Sequence, residues 1–116
     1  MAIVDVEGEE LVVRLGSWEK VGAVRGDLRI PVASAQAARL VDNARKEVRG
    51  MRAPGTGWPG SILLGTFRSK GWKDFAATYR DDPGFVLDLE GQPFRRLIVS
   101  ADLPDELAHL VDASGG

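Results

Sequence analysis

Short runs of aliphatic and β-branched residues, separated by turns rich in glycine, proline and aspartate, recur along most of this chain. Runs of this length and composition are typical of β-strands. The predicted strands cover residues 3–6, 11–15, 28–32, 62–67, 74–79, 84–89 and 94–100, of which the last four are the clearest. Turn segments at 69–71, 81–84 and 90–93 divide the last four at the spacing of hairpins. This pattern predicts a fold made mainly of β-sheet.

Two details of the strand pattern leave alternatives open. Gly8 separates the first two runs, which form either one long bent strand or two short ones. Residues 34–41 contain alanines, which favour a helix, in an apolar and polar alternation that also permits a strand, and we predict a strand. Pro31 indicates that the strand at 28–32 stops or bends.

The periodicity changes from strand to helix near the end of the chain. Ser100 or Asp102 can cap a helix, and Pro104 suits its first turn. Helical spacing relates the apolar residues that follow, which are Leu103, Leu107, Leu110 and Val111. About seven antiparallel strands with one C-terminal α-helix predict a bent sheet or partly open barrel. We expect a single domain over residues 1–112 and a flexible tail over 113–116.

Composition excludes several classes of site. The chain has 116 residues and no cysteine, so disulfides, thiolate catalysis and zinc sites built on sulfur are excluded. The single histidine, His109, cannot hold a metal alone, and we expect it on a helix surface. We therefore predict no metal and no cofactor. The amino terminus is acidic and lacks the basic start and apolar centre of a signal peptide, so we expect a cytoplasmic protein.

Charge is divided unevenly along the sequence. Residues 1–38, 39–80 and 81–116 carry net charges of −2, +6 and −6. The basic middle segment either meets the acidic ends within the fold or forms a surface for an anionic partner, such as a lipid headgroup or another small anion. The acidic overall charge and the absence of a nucleic-acid motif predict no nucleic-acid partner.

The middle of the chain also contains a segment rich in glycine, proline and arginine, residues 49–60. Its backbone can turn sharply or leave amide groups free for a contact, and we expect Trp58 to be an exposed aromatic on this loop. We predict an interaction surface that comprises Arg45, Lys46, Arg49, Arg52, Gly55, Gly57 and Trp58. The glycine spacing at 55, 57 and 60 matches a dinucleotide motif in letters only, because it lacks a preceding strand and a following helix; Pro59 and the apolar strand after Gly60 argue against that helix.

No catalytic group is assembled in the sequence. Asp81 and Asp82 precede a proline and are more typical of a turn than of an acid/base pair. Neither Ser17 nor Ser61 has a histidine close by in the sequence. We therefore expect that the protein is not an enzyme.

Three segments resemble a known family. They are EKVGAVRGDLRIP at residues 19–31, VRGMRAPGTG at 48–57 and KDF at 73–75. The chain resembles the small, uncharacterised pleckstrin-homology-like proteins of actinobacteria over nearly its whole length. The resemblance implies the bent β-fold, no assigned catalytic residues and possible homo-oligomers. The basic pattern that binds phosphoinositides in eukaryotic relatives is not reproduced around Lys20, Arg25 and Arg29.

These observations together predict a non-enzymatic interaction or scaffold module. We expect it to act through self-association or a protein partner, because antiparallel sheets leave strand edges that pair with other chains. The alternative function is binding of anionic lipid headgroups, or of another small anion, through residues 39–80.

Overall fold

The computed structural model describes residues 3–16, 27–48, 51–52 and 62–113, which form two β-sheets and a short helix. The strands are β1 (Ile3–Glu7), β2 (Glu10–Arg14), β3 (Leu28–Pro31), β4 (Ala35–Val41), β5 (Met51–Arg52), β6 (Ile62–Ser69), β7 (Trp72–Tyr79), β8 (Gly84–Leu89) and β9 (Arg96–Val99). Single 3₁₀ turns cover Val32–Ser34, Ala44–Glu47 and Asp105–Leu107, and helix α1 covers His109–Ala113. The mainly β prediction is confirmed, and each predicted strand coincides with an observed one.

The first sheet has the order β1-β2-β3 and is antiparallel throughout. A tight turn at Gly8, whose φ is 62°, joins β1 to β2, so the first two runs are separate strands of a hairpin. Strand β3 ends at Pro31, as predicted, and a 3₁₀ turn leads into β4. Residues 34–41 are a strand over almost their whole length, because β4 pairs with β8.

The second sheet has the order β4-β8-β9-β7-β6-β5. The prediction that all strands run antiparallel is wrong at one place, because β9 lies between β8 and β7 and pairs in parallel with β7. Leu97, Ile98 and Val99 of β9 are all fully buried. A strand without a polar face is stable only in the interior of a sheet that is covered on both sides. The turn at 81–84 therefore connects two strands that are not neighbours, and only the other two predicted hairpins form.

The main core lies between the two sheets. Leu11, Val13 and Ile30 of the first sheet pack with Phe75, Phe85 and Leu97 of the second. A smaller cluster covers the opposite face of the second sheet, where Ala44 of a 3₁₀ turn packs with residues such as Phe67 and Ile98. In the described part of the chain the sheets stay separate and do not close into a barrel.

Strand β7 begins near one outer strand of the first sheet and ends near the other. Lys73, near its start, shares a surface hollow with Leu28 and Ile30 of β3. The turn that follows its end contributes Asp82 to a hollow along β1. Within the described residues, the two outer strands of the first sheet, β3 and β1, therefore lie near opposite ends of β7.

The C-terminal helix is shorter than predicted. A 3₁₀ turn begins after Pro104, with no side-chain cap, and the α-helix covers five residues. Ser100 does not cap it, because its Oγ accepts a hydrogen bond from the Tyr79 N–H at 3.1 Å. Leu107 and Leu110 are buried in the core, as the helical spacing indicated. No helix in the described ranges is long and apolar enough to cross a membrane.

Candidate interaction site

A trough runs along the edge of β1 and continues to β4 and α1. It consists of three adjoining hollows of about 580, 290 and 520 Å³. Shared residues, among them Pro83, Ala101 and Asp102, make the hollows continuous. We call this surface the acidic trough, and it is lined by Ile3, Val4, Asp5, Leu40, Val41, Asp42, Asp82, Pro83, Gly84, Ser100, Ala101, Asp102, Leu103, Ala108 and Val111.

The charge of the trough is negative along its whole length. Asp5, Asp42, Asp82 and Asp102 line it, and none of the lysines and arginines that the structure describes does so. The carboxylate of Asp5 lies 3.9 Å from Nε of Arg14, which partly offsets its charge. No ion pair joins Asp82 or Asp102 to another described residue. Within the described ranges, no three His, Asp or Glu side chains are placed to hold a metal ion.

Two large apolar side chains stand exposed at the trough. Ile3 is 58% exposed on β1, and Leu40 is 65% exposed on β4. Leu40 points to the same side of its strand as Ala38, which is buried in the main core. The trough therefore combines negative charge with apolar surface that a partner can bury.

The edge of β1 is a possible pairing surface. Among the described residues, β1 pairs only with β2. Every second residue of an antiparallel edge strand directs its N–H and C=O away from its neighbour. Ile3, Val4 and Asp5 line the trough at this edge. An extended chain that enters the trough therefore meets backbone donors and acceptors of β1 that no described strand pairs with.

The turn at residues 80–82, which contributes Asp82 to the trough, has a strained backbone and is fixed by hydrogen bonds from residues 44 and 45. Arg80 has a φ of 50°, which is unfavourable for a residue other than glycine. Nε of Arg45 donates to the Arg80 carbonyl at 3.1 Å, and the Ala44 N–H donates to the Asp82 carbonyl at 3.1 Å. These bonds fix the turn that places Asp82 and Pro83 at the trough.

Asp81, which is not among the lining residues of the trough, also bonds to Arg45, and we call the contacts of Arg45 with Arg80 and Asp81 the clamp. Oδ1 of Asp81 accepts hydrogen bonds from Nη2 of Arg45 at 2.6 Å and from Nδ2 of Asn43 at 2.9 Å. The bond from Arg45 is the largest cause that lowers the pKa of the Asp81 carboxyl below its ordinary value, followed by the bond from Asn43. The prediction of a turn at 81–82 is confirmed, and the two aspartates have separate surroundings.

The other wall is fixed by Ser100. Its N–H donates to the Ala77 carbonyl at 3.0 Å, while its Oγ accepts from the Tyr79 N–H. Both bonds join the end of β9 to β7, so residues 100–102 leave the sheet at a defined place. The backbone of the sheet thus positions Asp102 at the rim.

Of the residues that the sequence predicts for an interaction surface, the structure describes three, Arg45, Lys46 and Arg52. Arg45 binds Asp81 and the Arg80 carbonyl, so its guanidinium serves the clamp. Lys46 lies beside it on the 3₁₀ turn Ala44–Glu47, and Arg52 lies in β5, whose backbone pairs with β6. The other predicted interaction residues, Arg49, Gly55, Gly57 and Trp58, lie outside the described residues. His109 is exposed on α1.

A second, basic hollow lies at the opposite edge of the first sheet. It has a volume of about 370 Å³, and we call it the basic hollow; its lining is Leu28, Arg29, Ile30, Lys73, Gln92, Pro93 and Phe94. Nζ of Lys73 lies over the Phe94 ring, 5.5 Å from its centroid. Arg29 lies 3.4 Å from a carboxylate oxygen of Glu10 and 3.6 Å from one of Glu7. Lys73 has no such ion pair with a described residue.

Sequence reasoning missed both surfaces, because each draws on distant segments. The four aspartates of the trough come from four separate segments of the chain. The sequence feature that indicated this surface is the net charge of −6 over residues 81–116, which include Asp82 and Asp102.

Comparison with known proteins gives no relative for this chain. It matches no protein-family model, no curated protein and no solved structure. The pleckstrin-homology-like resemblance therefore stays a prediction, and a proposal about function depends on the surfaces described above.

Proposed function

We propose that this protein is a non-enzymatic interaction module that binds a positively charged, extended segment of a protein partner in the acidic trough. The observation that carries the proposal is that three features meet at the trough: an edge of β1 that no described strand covers, the exposed side chains of Ile3 and Leu40, and the carboxylates of Asp82 and Asp102. A pleckstrin-homology-like assignment is part of the proposal. The two-sheet architecture with a C-terminal helix supports it, while the parallel β7 and β9 pair departs from the antiparallel sheet that the resemblance implies.

Backbone pairing would supply part of the binding energy. A peptide that adds to an exposed edge forms main-chain hydrogen bonds, while alternate side chains enter pockets on either side. Ile3 and Asp5 lie on one face of β1 and Val4 on the other. An added strand next to these residues meets an apolar and a negative contact on the outer face. Alternating apolar and basic residues are the sequence that fits.

Charge would supply selectivity. Asp82 and Asp102 face the trough without an ion-pair partner among the described residues. A lysine or arginine in the bound segment gains a partner there, whereas an acidic segment is repelled. Such exposed pairs mainly increase the association rate and set specificity, and they weaken as salt screens them.

The alternative from the sequence, anionic lipid binding through residues 39–80, has less support. Arg39 lies 3.1 Å from a carboxylate oxygen of Glu47, and Arg45 lies 2.6 Å from one of Asp81. Two cations of the basic segment are thus paired inside the fold.

The test uses two fluorescein-labelled peptides of the same length, one of alternating lysine and valine and one of alternating glutamate and valine. Fluorescence anisotropy with the whole chain should show binding of the lysine peptide only. Asp82→Asn with Asp102→Asn should weaken it about tenfold, which is about 1.4 kcal/mol. Glu90→Gln removes the same kind of charge outside the trough and serves as the control.

Equal binding of both peptides, or no effect of the two aspartate changes, would contradict the proposal. Sedimentation with vesicles of phosphatidylglycerol tests the alternative. Retention on those vesicles, together with no peptide binding, would move the function to an anionic membrane surface.

A further inference from the structure

We propose that the bound segment pairs antiparallel with β1 in one register, with apolar residues opposite Val4 and Val6 and a lysine or arginine opposite Asp5. This inference rests on the proposed function and specifies the segment that the trough accepts. Two properties of β1 lead to it. One is the direction in which each residue turns its backbone N–H and C=O, and the other is the face on which its side chain lies.

The backbone groups of the first sheet alternate in a fixed phase. The N–H of Val32 donates to the Glu9 carbonyl at 2.9 Å. Counting on from Glu9, the odd-numbered residues of β2 therefore bond to β3, and the even-numbered residues bond to β1. Pro31, which has no N–H, pairs with an even-numbered residue of β2, as this phase requires. The β1 partners of the even-numbered residues are odd-numbered, so Val4 and Val6 direct their N–H and C=O to the edge that no described strand covers.

The residues that bond to Val4 and Val6 are predicted to be apolar. An antiparallel segment continues the pattern of this sheet, in which both strand pairs are antiparallel. Its residues opposite Val4 and Val6 exchange hydrogen bonds with them, and their side chains lie on the same face of the sheet. Val4 is buried in the main core, and Val6 packs against that core. Apolar side chains on this face of the bound segment therefore extend the core.

Asp5 selects the residue between these two. The residue opposite Asp5 occupies a pair without hydrogen bonds, in which the Cα atoms are about 4.5 Å apart and the side chains are closest. The Asp5 side chain is 55% exposed, and its carboxylate lies 3.9 Å from Nε of Arg14. Nη2 of Arg14 contacts the Glu7 carboxylate instead. The Asp5 carboxylate is therefore accessible to a cation directly opposite, which makes Asp5 a specificity-determining residue.

A shift of the segment by one residue is unfavourable on both faces. Because side chains alternate along a strand, the shift turns the basic side chain towards the core and the apolar one towards Asp5. Of the two registers open to an alternating lysine and valine peptide, one is therefore preferred. In that register the valine N–H groups point to β1, and the lysine N–H groups point away from it.

Backbone methylation of the lysine and valine peptide tests the register on the whole chain by fluorescence anisotropy. One derivative carries N-methyl groups on its central valines, and the other carries the same number on its central lysines. Methylated valines should weaken binding at least about tenfold, since hydrogen bonds to β1 are lost and the methyl groups meet the strand. Methylated lysines should leave the affinity nearly unchanged. This derivative is the matched control, because it has the same composition and the same number of methyl groups.

A double-mutant cycle tests Asp5. The probe is an alternating valine and serine peptide with one central lysine, and its partner has glutamine in place of that lysine. Asp5→Asn and the lysine change should each weaken binding roughly two- to fivefold, the range of an exposed ion pair, and the two together should weaken it no further than either alone. Glu9→Gln, at an exposed position outside the trough lining, is the control and should bind like the wild type. Circular dichroism checks that each variant is folded.

The outcomes separate this inference from the proposed function. Equal losses from the two methylations, a greater loss from methylated lysines, or additive effects in the cycle would overturn the inference. The proposed function would still stand if the unmethylated peptide binds and depends on Asp82 and Asp102. Absence of binding by every lysine peptide would overturn both.

Discussion

The guanidinium of Arg95 forms two parallel hydrogen bonds with the carboxylate of Asp74, from Nε at 3.2 Å and from Nη2 at 2.9 Å. The Asp74 side chain is fully buried, whereas Arg95 is 38% exposed. Arg95 also stacks on Trp72, with its Cζ 4.0 Å from the ring centroid. This pair joins the start of β7 to the segment before β9. It lies next to Lys73 and Phe94, which line the basic hollow.

Arg95→Gln should therefore destabilise the protein. The change leaves the Asp74 carboxylate buried without its bidentate partner, which costs about 2–3 kcal/mol, less than for a fully buried pair because Arg95 is partly exposed. Urea unfolding followed by fluorescence measures the free energy. Arg96→Gln is the control, since Arg96 makes only a long contact of 3.7 Å with the exposed Asp88. An equal loss in both variants would contradict the prediction.

Gly84→Ala should be among the most damaging small substitutions. A Cβ at Gly84 would collide with the backbone carbonyl of Val99 on the neighbouring strand, where no flexible side chain can move aside. We expect a loss of about 3 kcal/mol in the free energy of unfolding, or failure to fold. Gly8→Ala is the comparison, because space is open at Gly8 and only its positive φ opposes a side chain. We expect this change to lower the free energy of unfolding by about 1–2 kcal/mol.

Asp81 should titrate below its ordinary pKa of 3.8. Because the folded-state pKa is depressed, the stabilisation from this carboxylate is present above the unfolded-state value and is lost as the pH falls through the lower folded-state value. Titration of the Asp81 carboxyl carbon by NMR measures the shift. Arg45→Gln removes its largest cause and should move the midpoint back towards 3.8. A midpoint that is the same in both proteins would show that the clamp does not form in solution.

Ile3→Ser and Leu40→Ser should separate binding from stability. Both side chains are mostly exposed, so each change should alter the free energy of unfolding by about 0.5 kcal/mol or less. Binding of the lysine and valine peptide should weaken in both variants, because the apolar contact in the trough is lost. Leu11→Ala, at a fully buried position of the first sheet, should lower the free energy of unfolding by about 2–5 kcal/mol and shows the response expected of a core residue.

The sequence indicates the charge of the candidate site but not which residues form it. The net negative charge of residues 81–116 is visible in the sequence. Which of those carboxylates face a common surface is not visible, because Asp5 and Asp42 join them from β1 and from the end of β4. Arg45 shows the converse case, since its sequence neighbours indicate a basic surface while its bonds in the fold are to Asp81 and Arg80.

The sequence by itself determined the β character, the positions of most strands and the burial of Leu107 and Leu110, because apolar alternation, turn residues and helical spacing are local properties. Tertiary structure alone decided that β9 inserts beside β7 in parallel, since this pairing depends on burying Leu97, Ile98 and Val99 from both sides. It also decided that the acidic trough lies near one end of β7 and the basic hollow near the other. Such placement depends on strand order, which residues distant in sequence settle together through packing.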